Sequence, residues 1–383
     1  MKNKMKPKLP EGCIQCLEGR KLVLFMTGIC RQGCFYCPLP ESRMGKDVVF
    51  ANERRLSNVN AINEAIEEAE LSDSTGMGIT GGDPLVVLDR TIDYIKAFKK
   101  RFGGEFHCHI YLTTKEVTKD KLERLGKAGL DEVRLHPQFL KEDLSEELKK
   151  MDFALELKKK FKWKVGIEIP IIPDCAERTI IFLDKIKDKV DFMNFNELEM
   201  SVINAPALMK KGMTWKNDST AVKRSEKDAL KVVTWCQDNV SIPINFCTAS
   251  QKNQFQYKNR LRRRLKNIMK DYDIETTDGG LYRAALYLPE MKPGFHYGHK
   301  LENLDKVRRD KMLKKLSMLR ARLMDDFEIP ENLIELDTQK IRILTSTDIA
   351  KALKKPMKLL GLDAALIEEL PTYDKQIMQL EWI

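Results

Sequence analysis

Apolar strands and amphipathic helices take turns from residue 20 to residue 250, and this alternation constrains the fold more than any other feature. Strands read at 21–28, 76–84, 106–114, 131–137, 164–173 and 190–199. Helices read at 58–72, 90–102, 119–129, 145–161 and 177–189. Repeats of strand then helix every ~25–35 residues call for parallel strands joined by helical crossovers, an α/β chain. A helix near 226–239 and the run "IPINFC" (242–247) add a candidate seventh strand.

The pattern changes after about residue 250. "QYKNRLRRRLKNIMK" (256–270) is a strongly basic helix, and 272–288 reads as a hairpin turning at Asp278-Gly279-Gly280. A long basic amphipathic helix follows at 306–326. The expected organisation is an N-terminal extension (1–19), an α/β domain (20–255) and a smaller basic α+β domain (256–383). No apolar run reaches ~18 residues, so no membrane span is expected. The basic N-terminus lacks the apolar stretch of a secretory signal, which makes the cytoplasm the expected compartment. The net charge of +10 permits a polyanionic partner such as RNA without requiring one.

Nine cysteines in a chain of this length, unevenly placed, suit metal ligation or catalysis better than a disulfide framework. Three of them, Cys30, Cys34 and Cys37, lie in "TGICRQGCFYCPLP" directly after the first strand. Three thiolates leave a tetrahedral site one ligand short. They would also leave one iron of a [4Fe–4S] cluster free for another molecule.

The C-x3-C-x2-C spacing, with an aromatic residue before the third cysteine, resembles the signature of the radical S-adenosylmethionine (radical SAM) superfamily. The resemblance spans roughly residues 20–250 and implies a partial (β/α)6 barrel, extended by the seventh strand. It implies that Cys30, Cys34 and Cys37 hold a [4Fe–4S] cluster whose open iron binds SAM. An electron from a donor such as ferredoxin or flavodoxin would cleave SAM, and the 5′-deoxyadenosyl radical would take a hydrogen from the substrate. "TGGDP" (80–84) resembles the family's Gly-Gly-Glu-like motif, which assigns Gly81, Gly82 and Asp83 to the SAM amino group. Thr113 and Thr114 become candidates for the SAM carboxylate or ribose, or else cap the next helix. Ile167 and Ile169, in the fifth strand, become candidates for packing on adenine, or else form an ordinary buried strand.

Cys13 and Cys16 form a C-x2-C before the first strand, and Cys247 ends the seventh. These three could hold a second [4Fe–4S] cluster. The alternatives are zinc, with Cys175 or a histidine as fourth ligand, or no metal. Cys108 and Cys236 read as core residues. Arg134 and His136 share one face of the fourth strand, as Asn194 and Asn196 do in the sixth, and all four are candidate substrate or SAM contacts. Arg260, Arg263 and Arg264 on the basic helix are candidate phosphate contacts.

In detail the chain resembles an archaeal group related to pyruvate formate-lyase activating enzyme. The leading expectation is a radical SAM enzyme that modifies a macromolecule, with tRNA foremost. The alternatives are a radical SAM enzyme acting on a protein or peptide, glycyl-radical activation included, and a non-catalytic metal-binding RNA-interaction protein.

Overall fold

The structure, a computed structural model, describes residues 9–294 and 297–383; residues 1–8 of the basic N-terminal extension lie outside it. The chain divides into two compact units, Met1–Arg260 and Leu261–Ile383.

In the first unit seven parallel strands follow one another across the sheet in chain order. They are β1 Lys21–Phe25, β2 Gly76–Thr80, β3 His107–Thr113, β4 Glu132–His136, β5 Lys164–Ile171, β6 Phe192–Glu197 and β7 Ile244–Cys247. Two-residue strands, Phe50–Ala51 and Arg54–Arg55, add an antiparallel hairpin to the β1 edge. Strand β7 pairs with β6 and not with β1, so the barrel is partial.

The helices are α1 Glu11–Leu17, α2 Ile62–Leu71, α3 Leu88–Phe102, α4 Lys119–Ala128, α5 Ser145–Phe161, α6 Ala176–Ile186, α7 Ala205–Lys210 and α8 Ser225–Asn239. Helix α3 illustrates why they form. Leu88, Ile92, Ile95 and Phe98 recur every three or four residues and are buried, while Lys99, Lys100 and Arg101 sit in the last turn, where the helix dipole favours cations. Helix α4 starts at Thr118, whose hydroxyl accepts from the Lys121 N–H at 3.2 Å, and ends at Gly129 in the left-handed region.

Helix α1 is placed differently. Its Cys13 Sγ receives the Asn194 amide of β6 at 3.2 Å and the Arg134 guanidinium of β4 at 3.5 Å, so α1 reaches the barrel interior. After β7 the chain passes through a π-helical turn, Lys252–Tyr257, into helix α9, Lys258–Ile268.

The second unit holds an antiparallel sheet: β8 Ile274–Glu275, β9 Leu281–Tyr287, β10 Ile334–Asp337, β11 Arg342–Thr345, β12 Asp363–Glu369 and β13 Ile377–Trp382. The order is β10-β11-β9-β12-β13, with β8 on β9. Leu316 and Leu323 of helix α10, Lys306–Phe327, share a core with Leu286 and Ile343 of the sheet. Arg342 is fully buried there, with Asp337 at 2.9 Å, Glu369 at 2.7 Å and the Tyr287 hydroxyl at 3.1 Å. Among the described residues, no helix is long and apolar enough to cross a membrane.

Candidate active site

The loop after β1 is fixed by the loop after β2. The Gly82 N–H donates to the Thr27 carbonyl at 2.6 Å and the Asp83 N–H to the Ile29 carbonyl at 2.9 Å, immediately before Cys30. Gly81 has φ 147°, and a Cβ on Gly82 would overlap the Ile29 carbonyl oxygen. The two glycines are therefore what lets these loops touch. Gly82→Ala should push the cysteine loop off its seat. The expected result is a lower thermal midpoint together with weaker iron retention in a desalting assay. Wild-type retention would mean that the contact does not position the cysteines.

Cys30, Cys34 and Cys37 all face one cavity of 570 Å³, and none is in a disulfide. Gly81 and Gly82 line the same cavity. Burial pushes the Cys34 thiol up to about 11 and also raises Cys30 and Cys37, so a metal must displace their protons to bind. Among the described residues, no three His, Cys, Asp or Glu side chains are gathered so as to share one metal ion. The donor set is soft, clustered and open to a cavity, which fits an iron–sulfur cluster.

Behind Cys34 runs a chain of polar contacts. The Tyr36 hydroxyl and His136 Nε2 are 3.0 Å apart, and His136 Nδ1 lies 2.8 Å from the Glu168 carbonyl oxygen. Burial lowers His136 below its ordinary value, so the imidazole is neutral near pH 7. Its Nδ1–H then donates to that carbonyl, and Nε2 accepts from Tyr36.

Deeper in the barrel, the Glu168 carboxylate accepts from Arg134 at 2.8 Å, Asn194 at 3.1 Å and Asn196 at 2.9 Å. Arg134 also donates to Glu132 at 2.6 Å. Burial by itself would raise Glu168. The guanidinium and the two amides outweigh that and hold it below the usual carboxylate range. Asn194 Oδ1 is buried without a partner among the described residues, as is His109 Nδ1, and both residues line the cavity. Such orphaned groups mark an interior suited to polar ligands.

Several expected contacts fall elsewhere. Ile167 and Ile169 do not line the cavity; both are fully buried in the apolar core. Side chains alternate along β5, and it is Glu168 and Pro170 that face inward. Thr113 lines the cavity, but the Thr114 hydroxyl is spent on the Glu147 carboxylate. Asp83 is fully buried beneath the glycines and is not on the wall. Its carboxylate caps the turn at Pro84–Val87 by accepting from the Leu85 N–H at 2.9 Å, and it accepts from the Thr113 hydroxyl.

On the basic helix, Arg264 is buried and donates to the Pro371 carbonyl at 2.7 Å. Arg260 pairs with Glu53 at 2.5 Å and Arg263 is half-buried. Arg264 is therefore structural and Arg260 is already neutralised, so neither is an open phosphate contact. Glu168 is the inward residue that the sequence reading passed over. Its signal was there, as a lone carboxylate at alternating positions in "GIEIPI".

Burial raises Asp83 to about 6, above the ordinary 3.8. Between those values the folded chain keeps a proton that the unfolded chain has lost. Stability due to this group therefore falls as pH rises from about 4 to about 6 and is level above that. Asp83→Asn keeps the cap, because Thr113 can reverse its hydrogen bond. The variant should flatten this part of the stability profile, by up to ~3 kcal/mol for a shift of two units. Parallel urea titrations at pH 4.5 and 7 check it, and an unchanged slope would refute it.

The radical SAM superfamily model matches residues 24–168. A protein of Methanocaldococcus jannaschii, provisionally named a glycyl-radical enzyme activating enzyme, is 45% identical over 282 residues, 73% of this chain and 74% of that protein. The chain belongs to the radical SAM superfamily. As a radical SAM enzyme it takes a [4Fe–4S] cluster and SAM as cofactors. Among solved structures it is similar to methylornithine synthase, with TM-score 0.38, 11% identity, and coverage of 62% of this chain and 79% of that one. It is also similar to coproporphyrinogen III oxidase from Escherichia coli, with TM-score 0.36, 12% identity, and coverage of 94% and 95%.

Proposed function

We propose that this radical SAM enzyme acts on a protein or peptide, by abstracting hydrogen from a glycine to leave a glycyl radical. The observation that carries this reading is the 45% identity to a relative named for that activity. The burial of Arg264 and the pairing of Arg260 weigh against the tRNA reading, because they remove two of the three cations expected to grip a phosphate backbone.

In this reading Cys30, Cys34 and Cys37 hold the cluster, and Gly81 and Gly82 let SAM approach the loop backbone. The bound cluster and SAM supply a primary carbon radical. The protein's part is to hold the reactants close and keep water out. Tyr36 and His136 buttress the cysteine loop through the β5 backbone. Glu168, with Arg134, Asn194 and Asn196, gives the cavity a fixed polar floor on which a substrate backbone can be oriented.

The test is anaerobic incubation of reconstituted enzyme with SAM, dithionite and extract of its own cells, split into nuclease-treated and protease-treated halves. The expected outcome is a glycine-centred doublet in the electron paramagnetic resonance spectrum of the nuclease-treated half alone. Formation of 5′-deoxyadenosine stimulated by purified tRNA, with no protein radical, would restore the tRNA reading.

A further inference from the structure

Outside the signature loop, three more thiols face the same cavity: Cys13 and Cys16 from α1, and Cys247 from the end of β7. Strand register relates two of them. Glu168, Asn194 and Asn245 sit on one rung of the sheet, and Asn196 pairs with Cys247 on the next inward rung. Cys13 Sγ lies over the lower rung, 3.2 Å from the Asn194 amide nitrogen and 3.8 Å from that of Asn245. Cys247 belongs two residues further along the same face, a step of ~6.6 Å. Cys16 is three residues on from Cys13 in α1, close to one helical turn away, and lines the cavity as well.

Two of these sulfurs have N–H donors directed at them. Cys13 Sγ is approached by N–H donors from Asn194, Asn245 and Arg134, the last at 3.5 Å, and Cys247 Sγ by the Gln256 amide at 3.2 Å. A core thiol needs no such company. Amide and guanidinium N–H groups aimed at sulfur are what a metal-bound thiolate requires, and they tune an iron–sulfur centre.

From this geometry we infer that Cys13, Cys16 and Cys247 hold a second iron–sulfur cluster, of the [4Fe–4S] type, with one corner not ligated by cysteine and turned to the cavity. Two sulfurs on one zinc, each at ~2.3 Å, are at most ~4.6 Å apart. Among the described residues no three such donors converge that closely, whereas a cluster spreads its cysteine ligands over several irons. The inference does not rest on the substrate reading above, because it concerns only which thiols hold metal.

The experiment counts iron and acid-labile sulfide per chain after anaerobic reconstitution, with Mössbauer spectra of the 57Fe-loaded protein. Wild type should hold about eight irons per chain. Cys30→Ser/Cys34→Ser/Cys37→Ser should keep about four irons with no SAM cleavage, and Cys13→Ser/Cys16→Ser/Cys247→Ser should keep the other four. Circular dichroism confirms that each variant is folded. Cys247→Ser alone, which disturbs no helix, repeats the test if the triple variant fails to fold. About four irons in wild type, all lost from the signature variant, would overturn the inference. So would one zinc per chain that disappears with Cys13 and Cys16. Failure of the glycyl-radical test would leave the iron count untouched, so the two readings fail separately.

Discussion

Serine in place of Cys34 is expected to bring reductive cleavage of SAM down to that of a protein-free control. A serine hydroxyl does not ionise near neutral pH, and its oxygen is a hard ligand where iron and sulfide demand a soft one. Cys34 stands in the middle of the loop, half-buried, with Tyr36 and His136 behind it. The measurement is chromatographic assay of 5′-deoxyadenosine with dithionite as reductant, beside an iron determination. Cys108→Ser is the matched control. That sulfur is fully buried in mid-strand and does not line the cavity that Cys34 faces. Its replacement should cost stability and leave cleavage intact. Wild-type cleavage by Cys34→Ser would sink the assignment of the signature loop.

Arg342→Met carries the largest expected loss of stability. Arg342 is fully buried, and Asp337 and Glu369, which share its guanidinium, are each 1% exposed. Burial penalises the Asp337 carboxylate, but Arg342 and Lys375 hold its pKa below the usual range. Methionine fills much of the volume and none of the charge, so the carboxylates lose their shared guanidinium in a low-dielectric interior, and Asp337 keeps Lys375 at 2.7 Å and the Gln339 and Lys340 N–H groups at 3.2 and 3.4 Å. Breaking such a group from one side costs about 3–5 kcal/mol. The loss should appear in a urea titration followed by circular dichroism, as a lower midpoint for the second unit. An unchanged midpoint would mean that water or rearrangement satisfies the acids.

The parallel sheet was legible because its signal is local and repeated. Each strand is an apolar run ended by a turn, and each helix has its own buried stripe, as in α3. The cysteine loop was legible for the same reason, since its ligands lie within eight residues. What the sequence hid was parity and partnership. Placing Ile167 and Ile169 inward misjudged β5 by one residue, which exchanges every side chain between faces. The roles of Asp83, Thr114 and Arg264 depend on Thr113, Glu147 and Pro371, partners that only folding brings near. The hairpin at Phe50–Arg55 escaped because two-residue strands have no period to detect.

The placement of α1 has a consequence for the order in which the molecule can be completed. Cys13 precedes Asn245, a donor to its sulfur, by 232 residues. At a synthesis rate of ~5–20 residues per second, the helix waits on the order of 10–50 s for the strand that closes over it. Seven residues are too few to hold a helix alone, so through that interval the segment is an open coil. Its docking is a late, long-range event, of the kind that slows folding. Until it happens Cys13 and Cys16 are accessible to any oxidant, and the first chemical requirement of this protein is a reducing environment while it is being made.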